Sequence, residues 1–407
     1  MPQAGTNTTQ VEPAAVLQEL TAAQAGVLAA QRIDPDNPAY NVGQYVEITG
    51  PFDPALLERA LRRTLAEADG LHVRLAEHEG RTVQLPTAFD AEAWQLPRLD
   101  TSAAADPVAA ATALVRAQLA VPTPLEGPEA GPLHGALLVR VGEQRHLWFQ
   151  WFHHLVVDGY SVALLTRRVA EVYTALAAGT DVPDSPLRPL AVLVEAEREY
   201  LAGPAAAEGR EYWNTRFADR PAVVGLTEAT AQAAPAARYH RAELTAEDSA
   251  AVLASARAAR ATWAEAAAAA LAGYLHLMTG TPDVVLGMHF MARTAPGTLR
   301  VPGMAVNILP VRIAVAGTDS HTGLMRRAAA ELTATRRHQR HRGEEIRRDL
   351  GLVGTDHRLH GPLLNIKPFD LALDFAGSPG QTVTLASGPV DDLSLSVTKT
   401  PDDRLFF

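Results

Sequence analysis

The segment from Trp148 to Ser161 constrains the fold more than any other part of this chain. Its sequence, WFQWFHHLVVDGYS, is a β-prone apolar run that ends in two histidines, followed by three apolar residues, an Asp-Gly turn and the start of a helix. It predicts a buried strand that carries polar side chains to a loop in front of a helix. Because successive strand residues point to opposite faces of a sheet, His153 and His154 are expected to diverge rather than to hold one ligand together.

The rest of the chain alternates between helical and strand-like segments, which is typical of a mixed α/β protein. At 407 residues with 47% hydrophobic content, the chain is longer than one core normally organises, so we expect two lobes. The Pro-containing stretch from Thr180 to Pro189 is the candidate boundary, and it divides the chain into 1–182 and 183–407.

Local signals place several elements around this boundary. We predict a helix over 21–30 with Thr21 as its N-cap, and another from Asp53-Pro54 to about Glu67. Residues 133–141 and 146–152 form a predicted hairpin, and a helix follows from Ser161 to Gly179. In the second half we predict a strand over Tyr239 to Leu244.

Composition excludes several classes of function. The net charge is −10 and acidic and basic residues are mixed, which argues against a nucleic-acid-binding surface. The chain has no cysteine, so disulfides, thiolate metal sites and a cysteine nucleophile are excluded. It also lacks the patterns HExxH, GxSxG and GxGxxG and a Walker loop, which disfavours metal hydrolases, serine hydrolases and nucleotide binding. We therefore expect no metal and no cofactor of the chain's own.

The sequence shows neither an export signal nor a stretch suited to span a membrane. The polar start from Met1 to Gln10 lacks the charged and apolar regions of an export signal. The Ala-rich stretch from Glu265 to Leu277 is too short and too weakly apolar to span a bilayer. We therefore expect a cytoplasmic protein that does not engage a membrane.

Three other segments extend the pattern around the histidines. Residues 20–24 are LTAAQ, residues 281–287 are TPDVVLG and lead to Arg293, and residues 301–312 are VPGMAVNILPVR. Together with HHLVVDG at 153–159, they resemble the condensation domains of nonribosomal peptide synthetases, relatives of chloramphenicol acetyltransferase. The resemblance covers nearly the whole chain.

The resemblance implies both a fold and a reaction. The fold is an α/β sandwich of two chloramphenicol-acetyltransferase-like lobes, which form a V-shaped pseudo-dimer with a tunnel between them. Two substrates arrive as thioesters on the phosphopantetheine arms of donor and acceptor peptidyl carrier proteins, and the acceptor amine attacks the donor thioester to form an amide. An adjacent adenylation domain is implied, and the domain itself is expected to be monomeric.

The same resemblance suggests roles for five residues. His154 accepts a proton from the amine or orients it, and the backbone N–H of Gly159 faces the developing oxyanion. Asp158 pairs with Arg293 from the other lobe, so both have a structural role. His153 supports the site.

Further candidates face the substrates or partners. Asn307 is expected near the acceptor side, although a strand-end hydrogen bond explains it as well. Trp263 is either a substrate platform or part of the core. Gly26, where the family normally has arginine, could widen the donor end for a long acyl chain. The basic run 336–348 is either a solvated helix face or a landing surface for an acidic carrier protein.

Several alternatives remain open at this point. An epimerisation domain shares the two histidines. A catalytically inactive recruitment domain usually loses the second histidine, but His154 is present. A free-standing acyltransferase for a diffusible amine or alcohol is also compatible. The chain ends at Leu405-Phe406-Phe407, before the family's closing helix, so we expect an incomplete second lobe. A native start at Met1 would fit a starter domain that acylates the first amino acid.

Overall fold

A computed structural model describes residues 17–127, 130–227, 237–368 and 373–407. The helices are α1 (Ala22–Ile33), α2 (Pro54–Glu67), α3 (Pro107–Leu119), α4 (Gly159–Ala177), α5 (Ala191–Ala202), α6 (Pro204–Arg216), α7 (Ala246–Ala259), α8 (Trp263–Thr279), α9 (His321–Arg337) and α10 (Gly343–Asp349). The strands are β1 (Gln18–Glu19), β2 (Asn41–Thr49), β3 (Val73–His78), β4 (Arg81–Pro86), β5 (Arg98–Asp100), β6 (His134–Gly142), β7 (Arg145–His153), β8 (Asp283–Phe290), β9 (Asn307–Ala314), β10 (Leu363–Lys367), β11 (Leu373–Phe375), β12 (Ser378–Ala386), β13 (Ser394–Lys399) and β14 (Leu405–Phe406).

The strands form three sheets. A six-stranded sheet has the order β11-β12-β2-β7-β6-β5, a five-stranded sheet has the order β14-β13-β10-β8-β9, and β1, β4 and β3 form a small third sheet. Helices α2 and α4 cover one face of the six-stranded sheet and α3 covers the other, each through a cluster of buried apolar side chains. We call this unit the first lobe. The second lobe is the five-stranded sheet with α8 and α9 packed on it.

Local sequence signals explain the elements that position the histidines. Thr21 caps α1 through a capping box with Gln24, and the helix ends just before Asp34-Pro35. The predicted hairpin is present as β6 and β7, and β7 also pairs with the nine-residue strand β2. Strand β7 is buried along most of its length, as its continuous apolar sequence indicated. Its last residue is His153, so the strand delivers the histidine pair to the loop before α4.

The second half of the chain returns two strands to the first lobe. β12 pairs with β2 in antiparallel register, from Gly380 opposite Ile48 to Ala386 opposite Gly43. The chain then runs through 387–393 into β13 of the second lobe. The boundary predicted at 182/183 lies in the irregular segment between α4 and α5, but the first lobe also contains 373–386.

Two predicted elements differ in the structure. Tyr239 to Leu244 is not a strand: Glu243 forms an isolated bridge with Phe406, and this stretch otherwise lies along the last residues of the chain. The basic run 336–348 is not one helix, because α9 ends at Arg337 and α10 begins at Gly343. Within the described ranges, no helix combines the length and apolar character that a bilayer span requires.

Candidate active site at the lobe interface

The His154 ring has a defined tautomer. Its backbone N–H donates to the Tyr40 carbonyl at 2.8 Å, and its Nδ1 lies 2.8 Å from the Val157 carbonyl oxygen. A carbonyl only accepts hydrogen bonds, so Nδ1 carries the proton and Nε2 keeps its lone pair. The residue as a whole is partly exposed to solvent.

The pKa of His154 favours a neutral ring at neutral pH. Burial lowers this pKa, and the Val157 carbonyl, the Asp158 carboxylate and the Ser387 carbonyl oppose the shift without reversing it. The ring is therefore a proton acceptor in its resting state. The same three oxygen-bearing groups stabilise the imidazolium that forms when Nε2 takes a proton.

His153 points the other way and braces the fold, as the strand alternation predicted. The residue is buried, its Nδ1 accepts a hydrogen bond from the Leu155 N–H at 3.1 Å, and its Nε2 lies 3.4 Å from the Gln31 amide oxygen. Burial and the neighbouring His154 lower its pKa to about 3, so the ring stays neutral. It ties the end of β7 to α1.

The Asp158 carboxylate holds the two lobes together. It caps α4, and its Oδ1 accepts from the N–H and the hydroxyl of Ser161, both at 2.9 Å. Its Oδ2 accepts from Arg293 Nη1 at 2.6 Å and from the N–H groups of Ala305 and Val306, both at 3.1 Å. With five donors satisfied, this carboxylate has a structural environment rather than that of an acid catalyst.

Arg293 completes this buried network from the second lobe. Its Nη2 donates to the Gly303 carbonyl at 2.8 Å and to the Ser161 hydroxyl at 3.0 Å, and its guanidinium lies 5.2 Å from the centre of the Tyr160 ring. Burial opposes ionisation of Asp158, but Arg293 and the backbone donors outweigh it and hold the Asp158 pKa below its ordinary value. The segment 291–306 is thereby fixed against the start of α4.

Gly159 occupies the first position of α4 and is exposed. A Cβ atom there would meet no other atom within 4 Å. The space beside the Cα of Gly159 is therefore open, and it lies next to the partial positive charge of the helix N-terminus.

Of the two roles that the sequence left open for Asn307, its contacts favour the strand-end hydrogen bond. Its Nδ2 donates to the Gln339 carbonyl at 2.9 Å and to the His341 carbonyl at 2.8 Å, and its Oδ1 accepts from the Gly343 N–H at 3.1 Å. The side chain is buried, and all its hydrogen atoms are used. Asn307 shapes the turn between α9 and α10.

The other two substrate candidates lie in different surroundings. Trp263 packs against the apolar core of the second lobe at the start of α8, which favours the core role. Gly26 lies on α1 opposite the second lobe, since a Cβ there would be 2.8 Å from Glu344 Oε1. Position 26 therefore borders the interface between the lobes.

The basic run 336–348 does not present a continuous cationic face. Arg340 lies over the Tyr200 ring and donates to the Ala196 carbonyl, while Arg342 donates to the Val306 carbonyl at 2.9 Å. These guanidinium groups brace loops within the protein. Arg336, Arg337 and Arg348 are exposed, so a landing surface for a carrier protein stays a prediction.

A cavity of about 1030 Å³ lies between the lobes. Its walls include the start of α1, helices α5 and α6, and Arg340, Arg342 and Glu345, but His154 is not among its lining residues. A continuous tunnel from this cavity to the His154 ring stays a prediction. In the described ranges, no cluster of three or more His, Asp or Glu side chains is arranged to hold a metal ion.

Two neighbours of His154 were not identified from the sequence. A Cβ atom on Gly388 would lie 3.1 Å from both Cδ2 and Nε2 of the His154 ring. His289 of β8 interacts electrostatically with the same ring from the second lobe. Neither residue belongs to a recognisable local pattern, because both reach the ring only through the fold.

Comparison with known proteins agrees with this geometry. A sequence model of the family described as "Condensation domain" matches residues 16–398. The chain belongs to the condensation domain family. The dimodular nonribosomal peptide synthase of Bacillus subtilis is 40% identical over 384 residues, and the isonitrile lipopeptide synthase of Streptomyces coeruleorubidus is 42% identical over 383 residues. These matches cover 94% and 93% of this condensation domain, which spans 16% and 25% of the two relatives.

Solved condensation domains share the fold. The first condensation domain of the calcium-dependent antibiotic synthetase has a TM-score of 0.89 and 33% identity, with 97% of this chain and 90% of that chain covered. A starter condensation domain of rhizomide synthetase has a TM-score of 0.88 and 34% identity, with 96% and 87% covered. The predicted chloramphenicol-acetyltransferase-like fold is confirmed. Condensation domains of nonribosomal peptide synthetases form amide bonds, which is an acyltransferase reaction.

Proposed function

We propose that this condensation domain joins the acyl group of a carrier-bound thioester to the α-amine of a carrier-bound aminoacyl thioester. The observation that carries the proposal is the His154 ring, whose Nδ1–H is fixed on the Val157 carbonyl at 2.8 Å while Nε2 keeps a lone pair at the lobe interface. This arrangement supplies a neutral proton acceptor five residues before the first position of α4, Gly159.

The chemistry balances without an added cofactor. The amine nitrogen attacks the thioester carbon, the carbonyl oxygen becomes an oxyanion, and the N–H and helix N-terminus at Gly159 face that charge. His154 Nε2 takes a proton from the cationic amine. The C–S bond then breaks as the carbonyl re-forms, and the thiolate leaves on the donor's phosphopantetheine arm and regains the proton. One C–N bond forms and one C–S bond breaks.

The replacement His154→Ala tests this assignment. With octanoyl and leucyl thioesters loaded on separate carrier proteins, amide formation should fall by about 10²- to 10⁴-fold, the range typical of a lost general base. His276→Ala is a matched control, because its ring is also partly buried and its Nδ1 lies 2.7 Å from the Thr281 carbonyl.

Two results would contradict the assignment. A near-normal rate in a folded His154→Ala protein would remove the catalytic role of this ring. Deuterium uptake from solvent at the leucyl α-carbon, with no amide product from the unaltered domain, would instead indicate epimerisation.

We further propose a fatty acyl donor. Support comes from the likeness to the starter domain of rhizomide synthetase, which was solved in complex with C8-CoA and Leu-SNAC, and from the glycine at position 26. An arginine there would meet Glu344 and narrow the interface. Gly26→Arg should therefore slow octanoyl transfer more than acetyl transfer, and equal effects on both donors would rule out this role for Gly26.

A further inference from the structure

A small cavity lies within the first lobe, between two helices and the hairpin that leads to the histidine pair. Residues of α2 and α4 line one side of it, and residues of β6 and β7 line the other. Its volume is about 20 Å³, whereas one water molecule needs about 10–15 Å³. The cavity can therefore hold a single water molecule but not an organic ligand.

Most of the cavity wall is apolar. Its apolar side chains are those of Leu61, Leu65, Ala136, Phe152, Leu165 and Val169. Four polar side chains also line it, and one of these, Gln150, is bonded to the Thr166 hydroxyl at 3.1 Å. The other three belong to Thr64 of α2, His134 of β6 and Trp148 of β7. A polar ligand in this cavity must therefore bind through these three side chains.

Two of the three carry buried polar atoms without a partner. Thr64 and Trp148 are each 1% exposed. Across the residues that the structure describes, neither the Thr64 hydroxyl nor the Trp148 Nε1–H makes a hydrogen bond. Proteins rarely leave such groups unpaired, because burial removes their bonds to solvent. That both side chains line the same cavity indicates a shared partner inside it.

His134 offers an acceptor beside this pair. Burial, with a smaller effect of His72, lowers the pKa of His134 to about 3, so the ring is neutral at physiological pH and one nitrogen keeps its lone pair. The ring lies edge-on to His72 at 5.1 Å between ring centres, and no hydrogen bond to a described residue occupies its nitrogens. An indole N–H only donates, a hydroxyl does both, and a neutral imidazole can accept. The three groups together suit one small molecule that both donates and accepts.

We infer that the cavity binds one ordered water molecule, held by the Trp148 Nε1–H, the Thr64 hydroxyl and the His134 ring. Water has two hydrogen atoms and two lone pairs, so it can accept from the indole and still bond to the other two groups. This water links α2 to both strands of the hairpin β6–β7, and it braces β7 five residues before His153. The inference does not depend on the proposed function.

Thr64→Val tests the site through stability. Valine has the shape of threonine without the hydroxyl, and that hydroxyl has no partner among the described residues, so protein contacts alone predict no loss. With water bound, the equilibrium constant for folding, measured by urea denaturation, should fall about 2- to 10-fold, as for one lost hydrogen bond. Thr333→Val is the matched control, because Thr333 is exposed on α9, and it should leave the constant nearly unchanged.

A second measurement detects the water directly. In ¹⁵N-labelled protein, the Trp148 Nε1–H, identified by its loss in Trp148→Phe, should give NOE and ROE cross-peaks to water of opposite sign, which marks an ordered water molecule. The peaks should persist in Thr64→Val, which excludes exchange relayed through the hydroxyl. Trp213 is the control, because it is equally buried but its Nε1–H donates to the His338 carbonyl at 3.2 Å, and it should give no such peaks.

Either measurement can overturn the inference. Unchanged or increased stability of Thr64→Val relative to Thr333→Val would mean that the Thr64 hydroxyl has no bound partner. Absence of the water peaks at Trp148, or their loss in Thr64→Val, would mean that no ordered water occupies the cavity. Neither result requires the domain to form an amide, so failure of the proposed function is observed separately.

Discussion

Gly388 lies against the edge of the His154 ring that bears Nε2. A Cβ at this position would be 3.1 Å from that nitrogen, and its backbone φ of +100° disfavours a side chain as well. We predict that Gly388→Ala slows amide formation about tenfold or more, because the added methyl group crowds the proton acceptor. Steady-state rates with both carriers loaded measure the effect.

Gly377→Ala separates crowding from backbone strain. Gly377 has a similar φ of +92°, but a Cβ there would meet nothing within 4 Å. Both variants should therefore lose about 1 kcal/mol of unfolding free energy, and only Gly388→Ala should lose rate. If the two variants lost rate equally, crowding of the His154 ring by a side chain at position 388 would not explain the loss.

The Asp158–Arg293 pair leads to a prediction about stability. Both side chains are almost fully buried, and their charges are 2.6 Å apart. Asp158→Asn and Arg293→Ala should each lower the free energy of unfolding by about 3–5 kcal/mol, since each leaves an uncompensated buried partner. In the double variant the losses should sum to less than the two single losses. Urea denaturation gives the three values, and strict additivity would mean that the pair is not coupled.

Residue roles could be predicted from sequence only where a local pattern exists. The spacing HHxxxDG indicated His154 and Asp158, and a strand followed by arginine indicated Arg293 as the partner. Gly388 and His289 lie more than 130 positions from His154, so no spacing links them to it. For Asn307 the sequence left two roles open, because an amide at a strand end serves a turn or a substrate equally well until its partners are known.

Strand β12 packs closely against core side chains of the first lobe at Gly380. Gly380 sits where a Cβ would be 2.8 Å from Phe375 Cε2, 3.0 Å from Val46 Cγ1 and 3.1 Å from Leu373 Cβ. These neighbours are buried core side chains, so Gly380→Ala should lower the free energy of unfolding by about 1–3 kcal/mol through overpacking.

The loss of stability in Gly380→Ala should be confined to the first lobe. Hydrogen exchange in Gly380→Ala should increase in β2, the partner of β12, and not in β8 of the second lobe. Gly317→Ala is the control, because a Cβ at Gly317 has open space around it. Faster exchange in β8 would show that β12 does not stabilise the first lobe selectively.

Elements with strong local signals were predictable, whereas their long-range partners were not. Thr21 and Asp53 cap the helices they were predicted to begin, and the hairpin β6–β7 is present. β12 pairs with β2, from which it is separated by more than 300 residues, and no local pattern specifies that choice. The break in the basic run was hidden for a related reason, because the tertiary contacts of Arg340 and Arg342 follow no helical periodicity.

Burial lowers the pKa of histidines in both lobes of the molecule. The chain has 14 histidines, and burial is the main reason that the pKa is lowered for many of the described ones. These are His72, His134, His146, His153, His154, His289, His338, His341 and His360. The pKa falls to about 3 for His134 and His153 and to about 4 for His289. The folded protein therefore holds neutral rings that the unfolded chain would protonate.

This difference predicts loss of stability in mild acid. A histidine with a lowered folded pKa stabilises the fold fully above its unfolded pKa of about 6.5, and that contribution is lost as the pH falls toward the folded pKa. Each proton taken up on unfolding gives a slope of about 1.4 kcal/mol per pH unit, and we expect about one to three protons. Paired carboxylates such as Asp158 act only below about pH 4, outside this window, while the raised pKa of Glu197 opposes the trend by a single group.

Urea denaturation at about pH 7.5, 6.5 and 5.5 and constant ionic strength measures this slope. The free energy of unfolding should be nearly constant between the first two values and should fall between the last two. His134→Phe should reduce the slope by about 1.4 kcal/mol per pH unit, because one buried ring no longer titrates in the unfolded chain. His240→Phe is the control, since His240 is exposed. A flat profile down to about pH 5.5 would mean that the buried imidazoles already bind protons in the folded state.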